Sequence, residues 1–376
     1  MGIPIARIFG IEIRVSLSWT IVLAVVAVIA VGQLTAIDPG LPTHIAWVLG
    51  GVVAFGFFLS SMSHDLAHAI VARRRGVDVS SIVVSIFGGA TPLDPTSPDP
   101  RHDVAIAASG PLASLGIGVV LLALTAGATA LGKEFSGAAG VLAVLVFLNL
   151  VLGVVNLIPA YPLDGGRIVR DIAWRRSGSE RIGWQAASRT GRVSGYLVIA
   201  AGLALLVLEG GPMGAMLGLT GWFLVLSANA LRDRVRLDDL IGGHTVAEAM
   251  ETDPVSISPA LTVDTFASQL LDGESPLTAV PVVDDEEIVG VFGVRQVRGM
   301  RRGDWTTTRV ADVMVKPPKV SFLAPGGLMK DGLERIHKAG VDGLPVIEAG
   351  RLVGMLTRLG VGTFVRARQA ESSPKK

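Results

Sequence analysis

The 376-residue sequence contains no cysteine, and only 17% of its residues are charged. The absence of cysteine excludes disulfides, a thiol nucleophile and thiolate zinc ligands, so any bound metal must rest on His, Asp or Glu. A net charge of +1 does not show the excess of basic residues that is typical of nucleic-acid-binding proteins. Half of the residues are hydrophobic, a share typical of a membrane protein that carries a soluble part.

Six apolar runs are long enough, or nearly long enough, to span a bilayer, which takes about 20 helical residues. No small-residue cleavage site with a soluble domain follows the first run, so we expect a retained helix rather than a signal peptide. The predicted fold is a polytopic α-helical membrane protein with about six transmembrane helices and a C-terminal α/β module. The apolar runs lie near residues 16–36, 45–71, 104–131, 139–158, 194–209 and 213–230.

Arginines are unevenly distributed among the loops between these runs. Alternate loops are rich in arginine, whereas the opposite loops carry only Lys133. Because cytoplasmic loops hold the excess of Lys and Arg, we expect a multi-pass protein of the cell membrane whose N-terminus and whole C-terminal module are cytoplasmic. The arginines are Arg7, Arg14, Arg73, Arg74, Arg75, Arg101, Arg167, Arg170, Arg175, Arg176, Arg181, Arg189, Arg192, Arg232, Arg234 and Arg236.

Two histidines with helical spacing lie in the second apolar run. His64 and His68 are four residues apart, so on a helix both imidazoles project from one face, about one turn apart. Such a pair can share a zinc ion, and a carboxylate directly after the first histidine, here Asp65, can reach the water on that ion. The pair alone is weak evidence, because two histidines near a membrane interface need no metal.

A candidate third ligand closes the fourth apolar run. Asp164 follows Asn156-Leu-Ile-Pro-Ala-Tyr-Pro-Leu and precedes two glycines. An unpaired carboxylate at the end of a membrane helix is costly, which favours a partner for Asp164. The arginine bias puts His64, His68 and Asp164 toward the same side of the membrane, as a shared metal requires. A simple Asp-Gly-Gly turn is the alternative.

The two motifs together resemble the site-2 protease family of intramembrane zinc metalloproteases. The resemblance covers about residues 1–230 and includes the opening Gly2–Arg14, Phe87-Gly88-Gly89 and Ala108-Ser-Gly-Pro111. It implies one zinc ion held by His64, His68 and Asp164, with Asp65 as general base and then acid to the leaving amine. Asn156 is expected to help hold the substrate backbone or the oxyanion. The substrate is expected to be a single-span membrane protein surrounded by lipid, plausibly one that acts in signalling.

Asp65 departs from the family pattern, which has glutamate in the H-E-x-x-H motif. The aspartate carboxylate sits about 1.5 Å closer to the backbone, and a misplacement of about 1 Å can cost about a hundredfold in rate. Three interpretations remain open: a natural variant with a closer helix, a weakened enzyme and an altered sequence. The competing functions are a pseudoprotease that binds membrane helices without cutting them, and a channel or transporter regulated by the C-terminal module.

Residues 77–90 are rich in β-branched residues, end in glycines and are too short to span as a helix. They predict a strand or hairpin that dips toward the membrane, or else a plain cytoplasmic hairpin. An exposed strand edge there could pair with an unwound substrate segment. Residues 91–100 are rich in Pro and Asp and predict a loop.

Residues 244–366 contain a gapless 64-residue repeat. Each copy predicts an extended stretch, a helix and two short strands, in an order that resembles tandem cystathionine-β-synthase (CBS) domains. We expect a transmembrane metalloprotease domain at 1–231, a first CBS domain at 244–302 and a second at 308–366. The matched pairs are Val246 and Val310, Met250 and Met314, Pro281 and Pro345, Val289 and Val353, and Gly290 and Gly354.

The CBS resemblance implies a pseudo-symmetric pair that binds adenosine nucleotides or pairs with a second copy. The ligand motif ends in Ser or Thr followed three residues later by Asp. The second copy has Thr357 but Gly360 in place of the Asp, and the first copy has Gly293 and Gln296. Nucleotide binding is therefore in doubt, and a structural or homodimerising module is at least equally favoured.

Overall fold

The computed structural model describes residues 2–84, 100–132, 135–272 and 278–372. It contains two compact units, Met1–Val235 and Arg236–Lys376. The confirmed prediction is the fold class: membrane-length helices in the first unit and mixed helix and sheet in the second. The predicted segments 85–90 and 91–99, with Phe87-Gly88-Gly89, and Lys133 lie outside the described residues.

Among the described residues, six helices are long and apolar enough to cross a membrane. Two of them extend well beyond the predicted apolar runs, because an arginine-bearing helical stretch precedes the fifth run and another follows the sixth. The spanning helices are α1 (Trp19–Ile37), α2 (Thr43–Arg74), α3 (Pro100–Ala130), α4 (Ser136–Asn156), α6 (Glu180–Glu209) and α7 (Pro212–Ile241), and a shorter helix, α5 (Asp164–Ser177), lies between α4 and α6.

The helices of the first unit pack through small residues on their inner faces. A Cβ added at Gly56 of α2 would lie 3.0 Å from the Leu145 side chain of α4, and one at Gly153 of α4 would lie 2.8 Å from Leu115 of α3. Outward-facing residues such as Val207 and Leu208 are more than 80% exposed. Close backbones inside and large apolar side chains outside are the pattern of a helix bundle in lipid.

A small sheet covers the C-terminal part of α2. Strands β1 (Ile3–Ile8) and β2 (Ile11–Val15) form a hairpin, and β3 (Ser81–Val84) pairs with β2 in parallel. Ile11 packs with Ala69 and Ala72 of α2, and Ile13 packs in a neighbouring apolar cluster. The predicted strand at 77–90 is thus confirmed over β3.

The second unit repeats one helix-and-hairpin plan. Its strand pairs are β5–β6 in the first copy and β7–β8 in the second, as the repeat predicts. The elements are β4 (Glu251–Thr252), α8 (Val263–Asp272), β5 (Ala279–Asp284), β6 (Glu287–Gly293), α9 (Val294–Arg298), α10 (Val310–Val313), α11 (Met329–Ala339), β7 (Gly343–Glu348), β8 (Arg351–Thr357) and α12 (Arg358–Ser372).

The two copies exchange their first segments. Val246 at the start of the first copy is buried in the core of the second, and Val310 at the start of the second is buried in the core of the first. In the same way β4 pairs with β8, and Val315 pairs with Val291 of β6. Each copy therefore completes the core of the other, while the ranges 1–231, 244–302 and 308–366 stay predictions.

Candidate metal centre

His64 and His68 lie on one face of α2, as their spacing predicts. Both side chains are buried, with 6% and 9% of each residue exposed. Their Nε2 atoms are 3.2 Å apart, and the two rings meet nearly edge to face. The ε-nitrogens of both rings therefore converge on one point inside the helix bundle.

Asp164 supplies an oxygen to the same point. It is the first residue of α5, where the helix dipole favours a carboxylate. Its Oδ2 lies 3.2 Å from His64 Nε2 and 3.3 Å from His68 Nε2. Its other oxygen, Oδ1, is 3.9 Å from the guanidinium of Arg167 one turn further along α5.

The two glycines after Asp164 allow the chain to fold back against the start of α5. A Cβ at Gly165 would collide with the carbonyl oxygens of Leu157 and Ile158, and one at Gly166 would lie 2.5 Å from the backbone nitrogen of Tyr161. The loop between α4 and α5 thus lies directly on the helix N-terminus. This close contact fixes where Asp164 stands relative to the end of α4.

Helix α3 holds the other side of both imidazoles. Ser114 Oγ is 2.9 Å from His64 Nδ1, and the carbonyl oxygen of Ile106 is 2.6 Å from His68 Nδ1. Gly110 lies between these positions, and a Cβ there would collide with His68 Nε2 and lie 2.7 Å from His64 Nε2. Only glycine lets α3 approach the histidines this closely.

The donor set fits zinc. Two neutral imidazole nitrogens and a carboxylate oxygen are standard zinc ligands, with bonds of about 2.0–2.1 Å whose tetrahedral arrangement separates ligand atoms by about 3.3 Å. Because the Ile106 carbonyl can only accept, His68 carries its proton on Nδ1, so its Nε2 lone pair faces the Asp164 carboxylate. Two facing acceptors in a buried site need a cation or an extra proton between them. The three residues form a group with metal-ligand geometry.

The two predicted catalytic residues differ in where they stand. Asp65 is partly buried beside the ligand cluster, and its carboxylate interacts electrostatically with His64, His68 and Asp164. Asn156 ends α4, and its amide Nδ2 donates to the carbonyl oxygen of Leu152 in the same helix at 2.9 Å. The structure therefore places Asp65 next to the cluster, while the catalytic roles of both residues stay predictions.

Three residues near the cluster were not predicted as functional from the sequence. Ser114 and Asn149 are fully buried, and the Asn149 amide Nδ2 donates 3.0 Å to Ser60 Oγ, linking α4 to α2 one turn before His64. Gly110 was part of a quoted family motif, but no role could be read from it. Ser114 and Asn149 carried no signal, because one hydroxyl or amide in an apolar run does not reveal its partner.

Two of the four positions of the CBS ligand motif, Gly293 and Gly360, are closed in the second unit. The Gly360 backbone N–H donates 2.9 Å to the buried Thr357 Oγ1, which caps the start of α12. A Cβ at Gly360 would lie 2.7 Å from the carbonyl oxygen of Ala249, and one at Gly293 would collide with the carbonyl oxygen of Thr278. Neither position has room for the motif's side chain as the backbone stands.

The chain is similar to known proteins over both of its units. The model described as peptidase family M50 matches residues 52–132 and 132–198, and that of the CBS domain matches 246–301 and 310–360. Two relatives carry the name of zinc metalloproteases: Rip3 of Mycobacterium tuberculosis (34% identity, 97% of this chain and 93% of that one) and sll0528 of Synechocystis sp. (30%, 96% and 94%). A solved site-2 protease from Methanocaldococcus jannaschii is 27% identical over 61% of this chain and 94% of that chain, with a TM-score of 0.38.

Proposed function

Because this chain belongs to peptidase family M50, the family of the site-2 proteases, we propose that it is a zinc endopeptidase that cuts single-span membrane proteins within the bilayer. The observation that carries the proposal is the buried cluster of His64, His68 and Asp164, whose ligand atoms lie 3.2–3.3 Å from one another. One zinc ion per chain is proposed to occupy it.

The depth of the cluster supports cleavage inside the membrane. At about 1.5 Å per helical residue, His68 lies about 9 Å and His64 about 15 Å from the C-terminal end of α2. Arg73, Arg74 and Arg75 support a cytoplasmic position for that end. We therefore propose that the site lies toward the cytoplasmic face of the bilayer, with the N-terminus and the CBS pair in the cytoplasm.

Each residue of the site has a proposed task. His64, His68 and Asp164 hold the metal, which when bound supplies Lewis-acid activation of water and of the peptide carbonyl. The carboxylate of Asp65 accepts the proton of the attacking water and returns it to the leaving amine nitrogen. The Asn156 amide, freed from Leu152, would hold the substrate backbone.

The CBS pair is proposed to be a regulatory or homodimerising module rather than a nucleotide sensor of the usual kind. The closed positions support this, because Gly293 leaves no room for the motif's hydroxyl side chain in the first copy and Gly360 leaves none for its carboxylate in the second. The family resemblance extends the proposal to substrates that act in regulated signalling.

Cleavage of a synthetic single-span substrate by the solubilised full chain tests the proposal. We expect products cut inside the apolar segment, loss of cleavage on chelation or in His64→Ala, and recovery with zinc. His44→Ala is the matched control, because His44 lies about 30 Å from His64 along the same helix. If zinc binds but no membrane substrate is cut, the pseudoprotease function, favoured by the short Asp65 side chain, replaces the enzyme.

A further inference from the structure

Both nitrogens of the His64 ring are engaged, on opposite sides. Nε2 faces Asp164 Oδ2 and the second histidine at 3.2 Å, while Nδ1 is 2.9 Å from Ser114 Oγ. Ser114 belongs to α3, fifty residues away in the chain, and none of its surface is exposed. The Ser114 hydroxyl and the His64 ring are thus both buried, in contact with each other.

The Ser114 hydroxyl can donate to a bare Nδ1 or accept from an Nδ1–H, so cation binding at Nε2 is what decides the direction of this contact. A neutral imidazole can bind a cation through Nε2 only when its proton is on Nδ1, and a buried Nδ1–H needs an acceptor. For His68 the acceptor is the backbone carbonyl of Ile106, which no side-chain change can remove. For His64 the acceptor is the Ser114 hydroxyl, so this ligand depends on one side chain.

We propose that Ser114 is a positioning residue: its hydroxyl accepts from His64 Nδ1–H when Nε2 binds the divalent cation, and it so sets the affinity of the cluster for that cation. The inference rests on the proposed function, since it takes His64 as a ligand. Without the hydroxyl, either a buried N–H is left without an acceptor or the proton moves to Nε2 and blocks the lone pair. Outer partners of metal-ligating histidines are typically worth about 10–100-fold in metal affinity.

The test is a zinc titration of the detergent-solubilised full chain against a competing chelator. Ser114→Thr and Ser114→Val form the decisive pair, because the two side chains have nearly the same shape and only threonine keeps the hydroxyl. We expect Ser114→Thr to bind zinc within a few-fold of wild type and Ser114→Val to bind about 10–100-fold more weakly. Thr125→Val is the control: it removes a hydroxyl that bonds Leu121 within α3, about 16 Å from Ser114 along the helix.

The outcomes separate this inference from the proposed function. Equal zinc affinity in Ser114→Thr and Ser114→Val overturns the positioning role, whatever the thermal stability of either variant. A weakened Ser114→Val with an unaltered melting temperature of the metal-free protein supports it, since a purely structural role would lower that temperature. Failure of the wild-type chain to bind zinc overturns the metal site itself, and the positioning role with it.

Discussion

Replacing Gly110 with alanine adds one methyl group where α3 meets both histidine ligands. The new Cβ would collide with His68 Nε2 and lie 2.7 Å from His64 Nε2. Ordinary carbon contacts are about 3.5–4.0 Å. At the longer of the two contacts, the His64 ring or helix α3 must therefore move by about 0.8 Å or more. Metal sites hold their ligand distances to within about 0.2 Å, so the three ligand atoms can no longer meet one zinc ion in their present arrangement.

The cost of this change can be bounded. Forcing an extra methyl into a packed interior typically costs about 1–3 kcal/mol. If that strain falls on the zinc-bound state, the dissociation constant for zinc rises by about 5–150-fold, at 1.4 kcal/mol per factor of ten. The methyl also stands among the ε-nitrogens that face the metal, so we expect the upper part of this range and a matching loss of cleavage.

Zinc competition titrations on the full chain measure the effect directly. Gly116→Ala is the matched control, since it makes the same change in the same helix at a position where a Cβ meets no atom within 4 Å. Gly110→Ala should lose affinity relative to Gly116→Ala. Equal zinc affinity and equal cleavage in the two variants would refute the close approach of α3 to the ligands.

Three further predictions concern Asp65, the hydrogen bond between Ser60 and Asn149, and the CBS pair. Asp65→Glu should raise proteolysis at constant zinc content, by up to the roughly 10²–10⁴-fold that general-base catalysis supplies. Asp65→Asn should abolish cleavage. Lower activity in Asp65→Glu would mean that the site is built around aspartate. Ser60 and Asn149 share a buried interhelical hydrogen bond, so their alanine variants should be coupled in a double-mutant unfolding cycle in detergent. The expected coupling energy is about 0.6 kcal/mol and at most about 1.7 kcal/mol. Strictly additive effects would contradict that bond. Calorimetry of the full chain with ATP or AMP should give no saturable heat, because Gly293 and Gly360 leave no room for the ligand motif, and micromolar binding would overturn this reasoning.

The elements that the sequence predicted well are those set by local spacing. His64 and His68 share a face because four residues make about one helical turn, and the hairpins of the repeat follow from pairs of short apolar runs a few residues apart. The start of α6 at Glu180 could not be read from the apolar run at 194–209, because hydropathy marks the part in lipid and not the polar helix before it.

The contacts that tertiary packing creates were beyond the sequence. Ser114 and Gly110 matter because α3 lies against α2, and no periodicity within α3 reports that approach. The repeat predicts two copies but not the exchange between them, in which Val246 and Val310 are each buried in the other copy. Whether a segment packs in the core of its own copy or of the other copy depends on the tertiary structure.

Elemental analysis of the purified full chain tests the central claim most directly. Wild type and His44→Ala should each carry about one zinc ion per chain, whereas His64→Ala and Asp164→Asn should carry almost none, because each removes one of three protein ligands. Full zinc occupancy in Asp164→Asn, or no zinc in the wild-type chain, would contradict a metal centre formed by His64, His68 and Asp164.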